Sequence, residues 1–224
     1  MAVIHRTVLE PTKLELLTSW LPTRPWYARG TGAPELPKAG GFRLDDPESE
    51  VGIEFLVVTD TSAGRPATYL VPLTCRGAPL DGAEHALVGI MEHGVLGRRW
   101  AYDGCHDPVL IAQLAALIEG RVPAQDQNTS DVPDREVTRS CTGGGATSTG
   151  SVAGATDDPQ GTELPAPQGT TLRLHRVPRP VPDNEPLPPS RAVGHVAGSW
   201  ALPDGSRARE LFVVLHHGAS SAED

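Results

Sequence analysis

The stretch 101-AYDGCHDPVLIAQLAALIEG-120 places a turn, the clearest helix in the sequence and a stop signal in immediate succession. Asp107 sits where an N-cap belongs and Pro108 where a first helical residue belongs, because a cap carboxylate accepts orphan amide protons and proline has no amide to lose. Val109, Leu110, Ala112, Leu114, Leu117 and Ile118 then recur at helical spacing, and Gly120 ends the run. The spacing predicts a helix of about three turns. Asp107 and Pro108 are assigned structural roles on this basis.

Upstream, the chain reads as one compact unit. A first strand is expected over 2–8, with Val3 and Ile4 buried. Pro11 is expected to open a helix with Leu14, Leu17 and Leu21 on one face beside Leu16 and Trp20, closed by Pro22. From Gly41 the pattern changes to period two, and 41–46, 51–60 and 67–77 are strand candidates joined by polar turns. Pro72 cannot donate to a ladder, which marks its strand as an edge or a bulge. An antiparallel sheet with both helices against one face is the expected packing.

The segment 122-VPAQDQNTSDVPD-134 is polar and without apolar periodicity, so it reads as a linker. Domains are therefore expected at 1–121 and 135–218, with a disordered tail at 219–224. In the second unit, glycines from Gly143 to Gly154 suggest a hairpin. Its backbone amides are a candidate phosphate cradle at Gly143, Gly144, Gly145, Thr147 and Ser148, and an ordinary flexible hairpin is the competing reading. Strands follow at 170–177, 192–202 and 206–217, the last two joined by a tight turn at Pro203-Asp204-Gly205.

Composition limits the function. The 224 residues carry a formal charge of −9, which argues against nucleic acid and anionic membranes as partners. No apolar run approaches the roughly 20 residues of a membrane span, and the expected location is cytoplasmic. Cys75, Cys105 and Cys141 are widely spaced and odd in number, consistent with reduced thiols. His85, His93 and His106 lie near Asp81, Asp103 and Asp107 without a recognised ligand spacing, so no metal is expected. Aromatic residues are 4% of the chain, which predicts a mainly aliphatic core.

The passage 78–118, taken with 12–30, resembles the N-terminal cap region of actinobacterial maltokinases. It is closer still to short stand-alone proteins of that region, some of which carry a glucan-branching label. The shared features are a helix ending in Trp-Leu-Pro followed by Pro-Trp-Tyr, a Pro-Leu-Asp-Gly turn, and a Tyr-Asp-Gly-x-His-Asp-Pro helix start. The resemblance implies an α+β fold: a cystatin-like cap, with an antiparallel sheet packed with helices, followed by a mostly antiparallel β unit resembling a degenerate kinase N-lobe. An aromatic pair followed by basic and glycine residues occurs at a similar place in full-length maltokinases. That makes Trp26, Tyr27 and Arg29 a candidate partner surface, the alternative being that the rings plug the open end of a small sheet.

In kinase-like lobes a strand such as 170–177 carries a lysine that grips nucleotide phosphates, supported by a helical glutamate. The corresponding position holds Arg173, and the lysines of this chain are Lys13 and Lys38. The next segment, 178–189, contains six prolines, so Glu185 is not expected to be that glutamate. The family's catalytic lobe, with its H-x-D loop, is not read in this chain, nor are branching-enzyme carboxylates. The expectation is a non-catalytic accessory or regulatory protein without cofactor, whose partner is a sugar kinase or an α-glucan-processing enzyme. Its oligomeric state is left open. Two alternatives stand beside it: nucleotide or oligosaccharide binding through the glycine-rich hairpin with Arg173, Arg176 and Arg179, and a lobe supplied in trans to a sugar kinase.

Overall fold

In the computed structural model of the protein, which describes residues 7–28, 30, 32–62, 64–142, 154–166, 169–179 and 186–217, twelve strands join in one mostly antiparallel sheet. In chain order the elements are β1 (Leu9–Glu10), α1 (Lys13–Trp20), β2 (Lys38–Leu44), β3 (Gly52–Asp60), β4 (Ala67–Arg76), β5 (Leu87–His93), β6 (Gly97–Asp103), α2 (Pro108–Glu119), β7 (Thr138–Cys141), β8 (Thr156–Asp158), β9 (Gly161–Ala166), β10 (Thr170–His175), β11 (Ala192–Ala201) and β12 (Arg207–His217). The strands run β1-β5-β6-β4-β3-β2-β11-β12-β10-β9-β8, with β7 added on β11. No helix among the described residues is long and apolar enough to cross a membrane.

Helix α2 follows its sequence signals. The Asp107 side chain accepts from the Val109 amide, Pro108 occupies the first turn, and Gly120 closes the helix at φ 80°, a left-handed conformation that glycine adopts without a Cβ penalty. In α1 the cap is Thr12 rather than Pro11. Its hydroxyl accepts from the Glu15 amide, and the Glu15 carboxylate accepts from the Thr12 amide in return. The strand expected at 2–8 falls largely outside the described residues, and the edge strand begins at Leu9.

The two helices lie on opposite faces of the sheet, not on one. Strand periodicity explains the difference. On β3, Ile53, Phe55 and Val57 face the cluster containing Leu110, Leu114 and Leu117 of α2, while Leu56 and Val58 face Leu17 and Trp20 of α1. A strand whose residues are buried on both faces shows no polar alternation, so the sequence pattern of 51–60 carries no information about which helix covers which face. Nor is β4 an edge strand, since it pairs with β3 along its length and with β6 from Leu73 onward. The Leu70 amide points away from β3, donating to Arg176 O at 2.9 Å. Pro72, two residues on, faces the same way just before β6 begins, so its missing N–H removes no ladder bond to β3.

That Leu70–Arg176 bond also shows the sheet curling back on itself. The path β4-β3-β2-β11-β12-β10 returns to β4 one residue beyond β10, enclosing the larger core with α2. The sheet runs through β2 and β11 at a single pairing, Gly40 opposite Trp200. Here the chain places all three of its phenylalanines and one tryptophan. Phe42 stacks on Phe55 at 4.4 Å, Phe212 lies 6.4 Å from Phe42, and Trp200 lies 6.0 Å from Phe212. A register shift leaves Phe212 as a bulge residue on β12, and its ring covers Gly198, where any Cβ would come within 2.1 Å of it. The segment 122–134 is tied to this region: Gln125 and Arg43 exchange backbone hydrogen bonds of 2.9 Å, and Ala124 is buried.

Removing the bulge ring tests whether the two halves share this core. Phe212→Ala should cost about 3–5 kcal/mol. Urea denaturation followed by circular dichroism and tryptophan fluorescence should show one transition at a lower midpoint, with the two probes coincident.

Candidate functional site

The turn between β6 and α2 carries the densest arrangement of buried charge among the described residues. Strand β6 delivers Tyr102 and Asp103 to a short 3₁₀ turn, Gly104–His106, whose end is the cap of α2. Asp103 and Asp107 are 1% and 0% exposed, and each accepts from an arginine as well as from the backbone. Asp107 receives Arg76 Nε and Nη2, both at 2.7 Å, while its Oδ1 caps Val109. Asp103 caps the Cys105 amide at 3.2 Å and receives Arg176 Nη2 at 2.6 and 2.8 Å. Capping explains why these residues occur here, and the arginines extend the role: each carboxylate joins the turn to a different strand.

Arg176 comes from the far half of the chain and is 0% exposed. Its Nε donates to Thr162 Oγ1 at 2.7 Å, Nη2 also contacts Cys105 Sγ at 3.1 Å, and the guanidinium lies 5.0 Å from the Trp26 ring centroid. Nη1 is buried without a protein partner. Burial opposes the charge, yet Asp103 overrides it and raises the Arg176 pKa above the usual arginine range. Burial first of all pushes the Cys105 thiol well above its ordinary value, so it stays protonated. The arrangement is a permanent ion pair in a closed interior.

The sequence-predicted residues are scattered. Trp26 and Tyr27 are 3% and 8% exposed, so their rings form no partner surface. Trp26 packs 5.8 Å from Trp20 and 6.0 Å from Tyr69, and the Tyr27 hydroxyl donates to Asp60 Oδ2 at 2.7 Å. The physical reason is that α1 alone is too short to cover its face of the sheet, and these rings complete the cover. Arg29, Gly143, Gly144, Gly145, Thr147 and Ser148 lie outside the described residues. Arg173 makes a bidentate pair with Asp158, Nη2 to Oδ1 at 2.8 Å, which holds that carboxyl well below the usual range. Arg179 is exposed.

His85 Nε2 and His106 Nδ1 are 3.1 Å apart, while His93 Nδ1 accepts from the Val95 and Leu96 amides. No group of three or more metal-ligating side chains occurs among the described residues. Sequence reading missed the Asp103–Arg176 pair. Its one local signal was a charged residue directly after the apolar alternation of Leu172 and Leu174.

Two measurements follow. Asp103→Asn leaves a buried guanidinium without its counter-charge and should cost about 3–5 kcal/mol in urea denaturation, while adding Arg176→Met should recover most of it. His106 and His175 are held below the ordinary histidine value, in both cases first by burial. Such a group binds its proton more readily unfolded than folded, so its contribution is complete above about pH 6.5 and lost as pH falls through the lower folded value. Stability should decline between about pH 7 and 5, and His106→Gln with His175→Gln should flatten that slope, since the depressed carboxylates act lower.

Residues 20–107 match the sequence model of the maltokinase N-terminal cap domain. The match starts at the last residue of α1, spans β2 to β6, and ends on Asp107, so it includes both arginine-binding aspartates. No match is found among curated proteins. Over residues 20–107 the chain is thus similar to the maltokinase N-terminal cap domain.

Proposed function

We propose that the protein is a non-catalytic accessory or regulatory protein of α-glucan, trehalose or maltose metabolism, acting in the cytoplasm by association with a sugar kinase or an α-glucan-processing enzyme. The cap domain supports the pathway. The observation that carries the non-catalytic reading is Arg173: it stands where a kinase-like lobe has its phosphate-gripping lysine, and its guanidinium is held by Asp158 of the same sheet. In this reading 135–218 is a degenerate N-lobe following the cap.

With Trp26 and Tyr27 inside the core, the docking surface falls elsewhere. Val8, Val95 and Leu96 are 71%, 61% and 46% exposed at the tip of the β5–β6 hairpin, where the Gly94 amide donates to Val8 O at 3.1 Å and draws β1 alongside. Clustered apolar side chains at a sheet edge are suited to association. Ligand binding through Arg173, Arg176 and Arg179 is less well supported, because the first is paired and the second is fully buried.

The test is an affinity pull-down of the tagged protein from a lysate of its source, with retained proteins identified by mass spectrometry. A sugar kinase or α-glucan enzyme should be retained in stoichiometric amount, and Val95→Asp with Leu96→Asp should reduce its recovery about tenfold, as loss of an apolar anchor does. Micromolar binding of ATP or maltose by the protein alone in a calorimetric titration would count against the adaptor reading. Phosphotransfer that arises only on mixing with a kinase C-lobe would favour the lobe supplied in trans.

A further inference from the structure

On the face of the sheet that carries α1, beyond the start of that helix, lies a cavity of about 380 Å³. Three cationic side chains from three elements line it: Lys13 from α1, Arg43 from β2 and Arg99 from β6. In a chain of net charge −9 this convergence is against the average field. Glu50 and Glu54 also line the cavity, and Lys13 Nζ pairs with Glu54 at 2.8 Å. The Lys13–Glu54 pair accounts for one cation, and Glu50 offsets part of the charge of the two guanidiniums.

Arg43 is 7% exposed. Its Nε donates to Asp126 O at 3.2 Å, while Nη2 is buried with no acceptor. Arg99 likewise carries a buried Nε with no acceptor. A buried charged donor left without an acceptor is costly, so both side chains that line this cavity gain from turning toward acceptor oxygens placed in it. The guanidinium fork is matched by carboxylate and phosphate groups, whose oxygens accept from it in pairs. Met91 and Leu96 also line the cavity and supply an apolar wall. Its volume lies within the range of small-molecule sites.

We propose that this cavity binds a small organic anion, with its phosphate or carboxylate group against Arg43 and Arg99 and its carbon body against Met91 and Leu96. The site shares Leu96 with the proposed association surface, while Arg43 and Arg99 lie outside that surface. It would give the N-terminal half of the sheet a ligand of its own.

Calorimetric titration and thermal denaturation of the full chain test it, with inorganic phosphate, glycerol 3-phosphate and succinate as probes and sodium chloride at matched ionic strength as control. At least one oxyanion should bind saturably and raise the Tm beyond chloride. A response to the phosphates alone assigns a phosphate ester as the ligand class, and a response to succinate alone assigns a carboxylate. Arg43 is buried and also holds the Asp126 carbonyl, so its replacement tests the fold more than the site. The discriminating variant is Arg99→Gln, which should keep the unliganded Tm and weaken binding about tenfold, as loss of a charge-assisted hydrogen bond does. Should its unliganded Tm fall, Arg99→Lys, which keeps the charge but loses the planar fork, supplies a second comparison. Absence of saturable binding by every probe, or equal binding by the wild type and the variant, overturns the proposal.

Discussion

A guanidinium withdrawn wholly from water is tolerable only where a counter-charge and hydrogen-bond acceptors are already in place, and Arg176 makes that demand on half the molecule. Its side chain requires Asp103 from the end of β6 and Thr162 from β9, and its backbone carbonyl receives Leu70 of β4. Strands from both ends of the sheet path therefore converge on one residue. An apolar side chain of similar size would fill the volume, but it would not specify which carboxylate it meets. The pair thus fixes how the sheet closes, whatever its net contribution to stability.

The second constraint is scarcity of aromatic residues. With 4% aromatics, a curved sheet of twelve strands has few large side chains to span the gap between its two halves. The chain concentrates them in two places. Phe42, Phe55, Phe212 and Trp200 bridge β2, β3, β12 and β11, while Trp20, Trp26, Tyr27 and Tyr69 cover the α1 face. The remaining two, Tyr102 and Trp100, sit in a small cluster with Ala83 and Ala86, and the rest of the core is aliphatic. Trp26 and Tyr27 are interior despite their proline-bracketed turn because they complete the cover over the α1 face.

Legibility in the sequence followed the range of the interactions. The N-cap of α2, its glycine stop, and the Pro203-Asp204-Gly205 turn between β11 and β12 depend on neighbours within a few residues, and each was readable. The Phe212 bulge and the placement of the helices on opposite faces depend on partners tens of residues away. The near-continuous apolar run of β3 fits a strand buried on both sides, but assigns neither side to a helix. Asp103 looked like a turn residue because that is half of its role. The other half, Arg176, lies 73 residues on, and the charge that follows Leu172 and Leu174 does not say which carboxylate it meets.

The contrast between two sets of basic residues shows why proximity in sequence is a poor guide to a site. Arg173, Arg176 and Arg179 stand three apart, which on an extended chain sends successive members to opposite sides. Arg173 accordingly meets Asp158 on the sheet, Arg176 enters the core, and Arg179 reaches solvent. Three charges that look clustered in the sequence never share a volume. Lys13, Arg43 and Arg99 are spread over the cap half of the chain, yet alternate-facing positions of β2 and β6 and the first residue of α1 bring them to one cavity. A convergent cationic site on a sheet requires residues that reach the same face from different strands, and of these two sets the second is the one that lines a common cavity.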